Sequence, residues 1–436
     1  MTLPIVAVVG RPNVGKSTFV NRIIQTQNAI VHQQSGVTRD RSYHRADWNG
    51  REFMLVDTGG IEFATDDAFG SSIRQQAEVA ATEADLVILL VDGSVGIAPG
   101  DQEVANLLRR HKTPVFLVVN KLDTPGREEA AHEFWALGLD TPWPVSATHG
   151  HGTGDLLDAL VDALPECAAE EGGADEIGVA IIGKPNAGKS SLYNRLLGEE
   201  RAIVSDVAGT TRDAIDTLLD HGEQHFRLVD TAGLRRKSQI DESVEYYGFV
   251  RAMRAIDRAD VAVLVIDAET GVTDQDQRVA RFAEERGCGI VVALNKWDLL
   301  ASPEAKTEIV ARLPEKLGFI SYAPVVRVSA LTGTGVHKVL PMVSSVYTSC
   351  TRQIPTNKLN SLLTELRATG HTISKGGRIL RLQYVTQTGT KPPVFTFFAN
   401  HPRMVDPNYE RYLENRLRES FDLVGTPVRL RFRQKG

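Results

Sequence analysis

The chain has 436 residues, 42% apolar and 24% charged, with three cysteines. At roughly 150 residues per domain this length suggests three domains, and the composition excludes a disordered, collagen-like or disulfide-stapled chain. The formal charge of -6 hides a segregation: residues 350–436 hold 15 Lys/Arg against 6 Asp/Glu, a net +9, which leaves -15 for residues 1–349.

In chain order, Met1–Gly10 lacks a basic leader and reads as a first strand, Ile5–Val9. Gly10-Arg11-Pro12-Asn13-Val14-Gly15-Lys16-Ser17 follows, then Thr18 and an amphipathic stretch. A Gly-x-x-x-x-Gly-Lys-Ser run between strand and helix wraps backbone N–H groups around phosphates at the positive end of the helix. Lys16 would sit against the β/γ-phosphates and the Ser17 hydroxyl would bind Mg²⁺. Gly36-Val37-Thr38-Arg39-Asp40 reads as a loop in which Thr38 closes over the metal when a γ-phosphate is present. A strand at Phe53–Val56 ends at Asp57, whose carboxylate faces the metal's other side through water. Gly60, in Asp57-Thr58-Gly59-Gly60, offers a bare N–H to the γ-phosphate.

Buried strands at Leu86–Val91 and Val115–Val119 come next, the second running into Asn120-Lys121-Leu122-Asp123. A carboxylate at Asp123 accepts both the ring N–H and the exocyclic amine of guanine, whereas adenine would leave it unpaired. Asn120 would support the loop, the Lys121 stem would cover the ring, and the Ala147 N–H in Ser146-Ala147 would meet the guanine oxygen. This pattern points to GTP rather than ATP. His149 and His151 have no metal-ligand partner in the pattern and read as loop histidines.

Residues 164–176 contain five acidic residues, no basic ones, a Pro and a Gly-Gly pair, and read as a linker. Beyond it the chain repeats itself. Gly183-Lys184-Pro185-Asn186-Ala187-Gly188-Lys189-Ser190, with Ser191, lies 173 residues after the first glycine-rich run, and Thr211 and Asp230-Thr231-Ala232-Gly233 keep that offset. Asn295-Lys296-Trp297-Asp298 follows at 175 and Ser329-Ala330 at 183, so insertions fall late in the second copy. Strands are predicted at Val179–Ile182, Phe226–Val229, Val261–Ile266 and Ile290–Leu294. The roles carry over: Lys189, Thr211 and Gly233 beside the phosphates, Ser190, Thr211 and Asp230 around Mg²⁺, and Asn295, Lys296, Asp298, Ser329 and Ala330 at the base. The candidate catalytic residues are Lys16, Thr38 and Gly60 with Lys189, Thr211 and Gly233. The glycine-rich runs and base-reading residues complete the GTP sites, together with Thr231, Ala232 and Leu234.

Ile61 and Leu234 follow the two Asp-Thr-x-Gly motifs where Ras-like enzymes carry a water-orienting Gln, so slow intrinsic hydrolysis is expected. Arg235-Arg236-Lys237 reads as a solvated or partner-facing strip. The last segment predicts a helix over Thr356–Ala368, strands near Ile379–Gln387 and Val394–Ala399, a helix over Pro407–Ser420 and a strand over Pro427–Phe432. Tyr409, Tyr412, Leu413 and Leu417 keep the spacing of a core face. The order αββαβ is that of a type II KH fold, but no Gly-x-x-Gly backbone clamp is present. RNA contact would then rest on phosphate attraction by Lys375, Arg378, Arg381, Arg429, Arg431, Arg433 and Lys435, or the basic face could instead dock on the acidic first copy.

These motifs resemble the Era group of GTPases and within it the tandem-domain Der (EngA) family, over essentially the whole chain. Thr388-Gly389-Thr390-Lys391-Pro392-Pro393 and Arg411-Tyr412-Leu413-Glu414-Asn415-Arg416-Leu417-Arg418 carry the likeness in the last segment. The resemblance implies an α/β fold: two P-loop GTPase domains, each a mostly parallel sheet with flanking helices, and a C-terminal α+β KH-like domain. Expected bounds are 1–163, 164–176 for the linker, 177–349 and 350–436. It also implies Mg²⁺-dependent GTP hydrolysis as a switch in assembly of the bacterial large ribosomal subunit, K⁺ held by Asn13 and Asn186, and ribosomal RNA as partner.

A monomer in the cytoplasm is expected. Cys167, Cys288 and Cys350 are odd in number and lack metal spacing, and no apolar stretch approaches the roughly 20 residues that span a bilayer. Two other readings stay open: a GTP-regulated module that recruits proteins at a membrane or division site, and a GTP-driven RNA-modifying enzyme.

Overall fold

The computed structural model describes residues 3–26, 43–57, 69–123, 128–165, 176–199, 207–208, 215–229, 245–300, 302–368, 374–375 and 378–434. Two compact units divide the chain, Met1–Ala169 and Glu170–Gly436.

In the first unit a six-stranded sheet has the order β2-β3-β1-β4-β5-β6. Its strands are β1 Ile5–Val9, β2 Tyr43–Trp48, β3 Arg51–Asp57, β4 Leu86–Asp92, β5 Val115–Asn120 and β6 Trp143–Pro144. All neighbours are parallel except β2 and β3. Helices Lys16–Thr26, Phe69–Glu83, Pro99–Leu108 and Thr153–Ala163 accompany it. The strands at β1 and β4 are buried throughout, as continuous apolar runs between helices require. Val8, Phe19, Ile23, Phe53, Ile88 and Leu156 share one core.

The sequence reading missed β2, whose Tyr-His-Arg-Ala-Asp-Trp run is too polar to read as a buried strand. The available signal was Asn49-Gly50: both residues adopt left-handed backbone, φ 52° and 79°, in a two-residue hairpin between Trp48 and Arg51.

The expected linker is folded at both ends. Leu164 is buried in the first core, and the Arg51 guanidinium donates to the carbonyls of Val161 (2.8 Å), Leu164 (3.2 Å) and Pro165 (3.0 Å), satisfying the end of the preceding helix. Glu176 already belongs to β7 and pairs with His225.

The second unit repeats the sheet with one strand more, in the order β13-β12-β11-β7-β10-β9-β8. The strands are β7 Glu176–Ile182, β8 Val207–Ala208, β9 Ile215–His221, β10 Gln224–Leu228, β11 Val261–Asp267, β12 Gly289–Asn295 and β13 Val325–Arg327. Its C-terminal portion adds a hairpin, β14 Ser374–Lys375 with β15 Arg378–Ile379. A three-stranded sheet follows, of β16 Leu382–Gly389, β17 Val394–Ala399 and β18 Arg429–Gln434. Helices Thr356–Ala368 and Pro407–Phe421 supply Leu359, Leu363, Leu413 and Leu417 to a core with Val385, Phe395 and Phe397. Tyr409 and Tyr412 pack against that core and stack at 6.0 Å, as the helical spacing suggested.

The single strand expected over Ile379–Gln387 is broken instead. Asn400 brackets the break: its Oδ1 accepts from Arg381 N (2.8 Å), its own N donates to Arg381 O (3.2 Å), and its Nδ2 reaches Ile379 O (2.8 Å).

This C-terminal sheet is fastened to the second sheet domain. Ile290 N donates to Gly425 O at 2.7 Å, and Gly425 N to Tyr322 O at 3.0 Å. Arg429 pairs with Glu284 at 2.9 Å and donates to the carbonyl of Glu285 at 3.1 Å, at the end of helix Asp274–Arg286. Lys391 joins Asp260 (3.0 Å) and the Tyr347 hydroxyl (2.9 Å). Arg429, expected to attract phosphate, is therefore a structural cation.

Because Leu164 is core rather than linker, Leu164→Ala is expected to destabilise the first unit by about 2–4 kcal/mol, measured as an earlier denaturant-unfolding transition. An unchanged transition would return Leu164 to the linker.

Candidate functional site

Each site forms at the carboxyl ends of parallel strands, where open α/β sheets bind ligands. In the first unit the loop after β1 carries the glycine-rich run, and Asp57, Asp92 and Asn120 are the last residues of β3, β4 and β5. In the second unit the loop after β7 faces Asp267 and Asn295, the ends of β11 and β12, which pair in register.

Asn13 and Asn186 adopt left-handed backbone, φ 65° and 59°, a conformation that Asn tolerates. Gly15 and Gly188, both at φ +95°, are required for a steric reason as well. A Cβ on either would overlap the side-chain amide of Asn120 or Asn295.

That amide is the joint of the site. Asn120 Nδ2 donates to Val14 O (2.9 Å), while its Oδ1 accepts from Ala147 N (3.0 Å). Asn295 repeats both bonds, to Ala187 O at 2.8 Å and from Ala330 N at 2.9 Å. One side chain thus ties the phosphate-type loop to the Ser-Ala loop.

The Lys16 ammonium donates to Gly10 O (2.7 Å) and Arg11 O (2.8 Å), and Lys189 to Lys184 O (2.6 Å). Burial lowers both pKa values, Lys189 to about 8. An anion in the loop would reverse that cost by returning a countercharge. Ser17 Oγ donates to Asp57 Oδ2 at 2.8 Å, and Asp57 is 1% exposed. A buried carboxylate beside a hydroxyl is an oxygen donor set suited to a hard divalent cation, so the residues fit Mg²⁺.

At the base-reading end, Ser146 Oγ donates to Asp123 Oδ1 at 2.6 Å. Lys121 and Lys296 sit in left-handed backbone, φ 67° and 60°, unusual for a long side chain and characteristic of functional positions. Their ammonium groups pair with Asp92 and Asp267, each at 2.6 Å. Burial is the largest influence and opposes the charge on those carboxylates, but the hydrogen bonds and charge of Lys121 and Lys296, together with hydrogen bonds from Ser94 and from the backbone of Glu269, hold both below the usual range.

Asp92 and Asp267 were missed in the sequence reading, although each closes an apolar run at the same 175-residue offset as the Asn-Lys motifs. Asp101 and Asp276 share that offset and were missed too. Asp101, 1% exposed, grips Arg11 through Nε (2.8 Å) and Nη2 (3.1 Å), whereas Asp276 accepts from Lys184 N at 3.2 Å. Arg22 and Arg195 form a third missed pair. Arg22 Nε donates to Ala147 O at 2.9 Å and Arg195 Nε to Ala330 O at 3.3 Å, bracing the Ser-Ala loops.

Thr38, Gly60, Ile61, Thr211, Asp230, Thr231, Ala232, Gly233, Leu234 and Arg235-Arg236-Lys237 lie outside the described residues. Among the described residues no cluster of three or more His, Cys, Asp or Glu could hold a metal ion, and no helix is long and apolar enough to cross a membrane.

The family model described as a 50S ribosome-binding GTPase matches residues 5–121 and again 178–296, and the KH-domain-like model of EngA bacterial GTPase enzymes matches 353–433. A GTPase Der of Symbiobacterium thermophilum is 50% identical over 99% of this chain and 92% of its own. The chain belongs to the GTPase Der family. A second family member, from Heliobacterium modesticaldum, is 48% identical and covers 100% of this chain and 99% of its own. Among solved structures, Aquifex aeolicus Era matches 60% of this chain and 93% of its own, at 21% identity and a TM-score of 0.31. The Der family assignment confirms two P-loop GTPase domains and the KH-like domain. The last is built here without a Gly-x-x-Gly clamp.

Gly188→Ala is expected to displace Asn295 and cut guanine-nucleotide affinity at the second site by about ten- to a hundredfold, a strain on the order of 1–3 kcal/mol. Titration should then find one tight site per chain rather than two. Gly198→Ala, with open space around its Cβ position, serves as the control and should leave both sites intact.

Proposed function

We propose that this chain is a Mg²⁺-dependent GTP hydrolase whose two sites switch its association with a precursor of the large ribosomal subunit in the cytoplasm. The observation that carries the proposal is the duplicated joint at Asn120 and Asn295. In each copy one residue links a phosphate-type loop to the loop beside a base-reading Asp.

The N–H groups of residues 13–18 and 186–191 hold the β- and γ-phosphates, and Lys16 and Lys189 neutralise the charge that builds between them. Asp123 and Asp298 accept from guanine. Ala147 and Ala330 donate to its oxygen, their N–H groups already oriented by Asn120 and Asn295. Ser17 with Asp57, and Ser190 with Asp230, would hold Mg²⁺, joined by Thr38 and Thr211. Bound there, the ion supplies positive charge to the phosphate oxygens. Gly60 and Gly233 donate backbone N–H groups to the γ-phosphate.

With Ile61 and Leu234 in place of a polar side chain, no protein group at those positions orients the attacking water. Asn13 and Asn186 are exposed on their loops with side-chain carbonyls suited to a monovalent cation, and K⁺ there would add charge where an arginine finger otherwise acts. Turnover should therefore be markedly faster in potassium than in sodium at equal ionic strength. Equal rates would remove the cation from the mechanism.

Asp123→Asn and Asp298→Asn are each expected to lower GTP affinity at one site by about 10²–10⁴-fold, because the carboxylate that would accept from both guanine donors is lost. Co-sedimentation of wild type and both variants with ribosomal particles, under GTP, GDP and a non-hydrolysable analogue, tests the switch. Comigration with the large subunit should depend on nucleotide and weaken steeply with salt. Indifference to nucleotide would sink the reading.

A further inference from the structure

The three-stranded sheet β16-β17-β18 has two unlike faces. Its inner face, with Val385, Phe395, Phe397 and Phe432, is buried under the two helices of the KH-like domain. Register places Tyr384, Phe398 and Arg433 in one row across the opposite face, and Thr386, Thr396 and Arg431 in the next. Tyr384 and Phe398 are in ring contact, with centroids 5.9 Å apart. Tyr384 is 43% exposed. Arg431 and Arg433 are exposed and have no ion-pair partner among the described residues. The third arginine of the strand, Arg429, is the one held by Glu284. The face is thus anchored at the Arg429 end and buried at its centre, where Thr396 is 3% exposed, while Tyr384, Arg431 and Arg433 around it reach solvent.

We propose that this face is a stacking platform for single-stranded RNA: Tyr384 and Phe398 take unstacked bases and Arg431 and Arg433 take phosphates along the β18 edge. The proposal rests on the ribosome-directed reading and names the surface that contact would use. Two observations select RNA as the occupant. The segment carries a net +9, which favours a polyanion. An aromatic pair beside unpaired arginines on an open sheet is the chemistry that holds splayed bases. Duplex RNA would not fit, because paired bases hide the ring faces that Tyr384 would cover.

Anisotropy of a labelled single-stranded oligouridylate, titrated with the full chain at fixed salt, tests this directly. Tyr384→Ala should weaken binding about tenfold and Tyr384→Phe should restore it, since stacking needs the ring and not the hydroxyl. An abasic strand should bind wild type and Tyr384→Ala equally. Replacing Arg431 and Arg433 together by Ala should weaken binding and flatten its salt dependence by about two phosphates. Thermal melting of each variant reports whether the fold is intact, and the exposed position of Tyr384 makes that the expected result.

If the strand binds wild type and Tyr384→Ala alike, or a duplex competes as well as a single strand, the platform is refuted while nucleotide-dependent particle binding stands. If the particle comigrates but no single strand binds, RNA contact by this face is refuted again. Sedimentation velocity showing self-association abolished by Tyr384→Ala, with RNA affinity unchanged, would assign the face to a second copy of the chain instead. Loss of nucleotide-dependent comigration in wild type would instead overturn the ribosome-directed reading itself.

Discussion

A single asparagine amide organises each nucleotide site. Asn120 and Asn295 end a buried strand, and their two side-chain atoms are used in opposite senses, one donating to a loop carbonyl and the other accepting from a loop N–H. Three loops that are far apart in sequence thereby share one rigid joint. The neighbouring glycines follow from it, because any Cβ at Gly15 or Gly188 would occupy the space of the amide. Buried polar groups that are fully satisfied in this way specify one arrangement, and a half-satisfied joint would cost more than an apolar one.

Around that common joint the two sites differ. In the first, Lys121 Nζ also donates to Asn13 O at 2.6 Å, and Arg11 is locked to Asp101, so the glycine-rich loop is held from two further sides. In the second, Lys296 is described with Asp267 and Lys184 contributes only its backbone to Asp276. Burial also lowers the Lys189 ammonium to about 8. Two domains with the same motifs therefore present loops of different restraint.

The KH-like domain shows how charge is partitioned by structure rather than by composition. Two of its cations, Lys391 and Arg429, meet the acidic residues Asp260 and Glu284 of the second GTPase domain and fasten the domain in place. Arg418 lies over the Tyr322 ring at 3.9 Å and donates to Leu423 O and Thr426 O, ordering the loop that carries Gly425. The remaining arginines of β18 face outward. Sequence spacing alone placed Arg429, Arg431 and Arg433 in one basic set.

The repeat, the buried strands in chain order and the glycine-rich and Asn-Lys-x-Asp motifs at their ends were legible in the sequence. Each depends on local patterns: glycines at fixed spacing, apolar runs and motifs in a shared register. Strand β2 at the edge of its sheet and β9 beside the short edge strand β8 were not legible, because half-buried polar strands lack the apolar run that marks β4 or β11, although Asn49-Gly50 marked one of the hairpins. Asp92, Asp101, Arg22 and their counterparts were also missed, since a lone carboxylate or guanidinium acquires its role only from what it meets. Sequence by itself marked the candidate nucleotide-binding residues and their duplication. Tertiary structure decided which charges support those residues, where the linker ends and which arginines stay open to solvent. Those outcomes depend on contacts between residues far apart along the chain, and no local spacing encodes them.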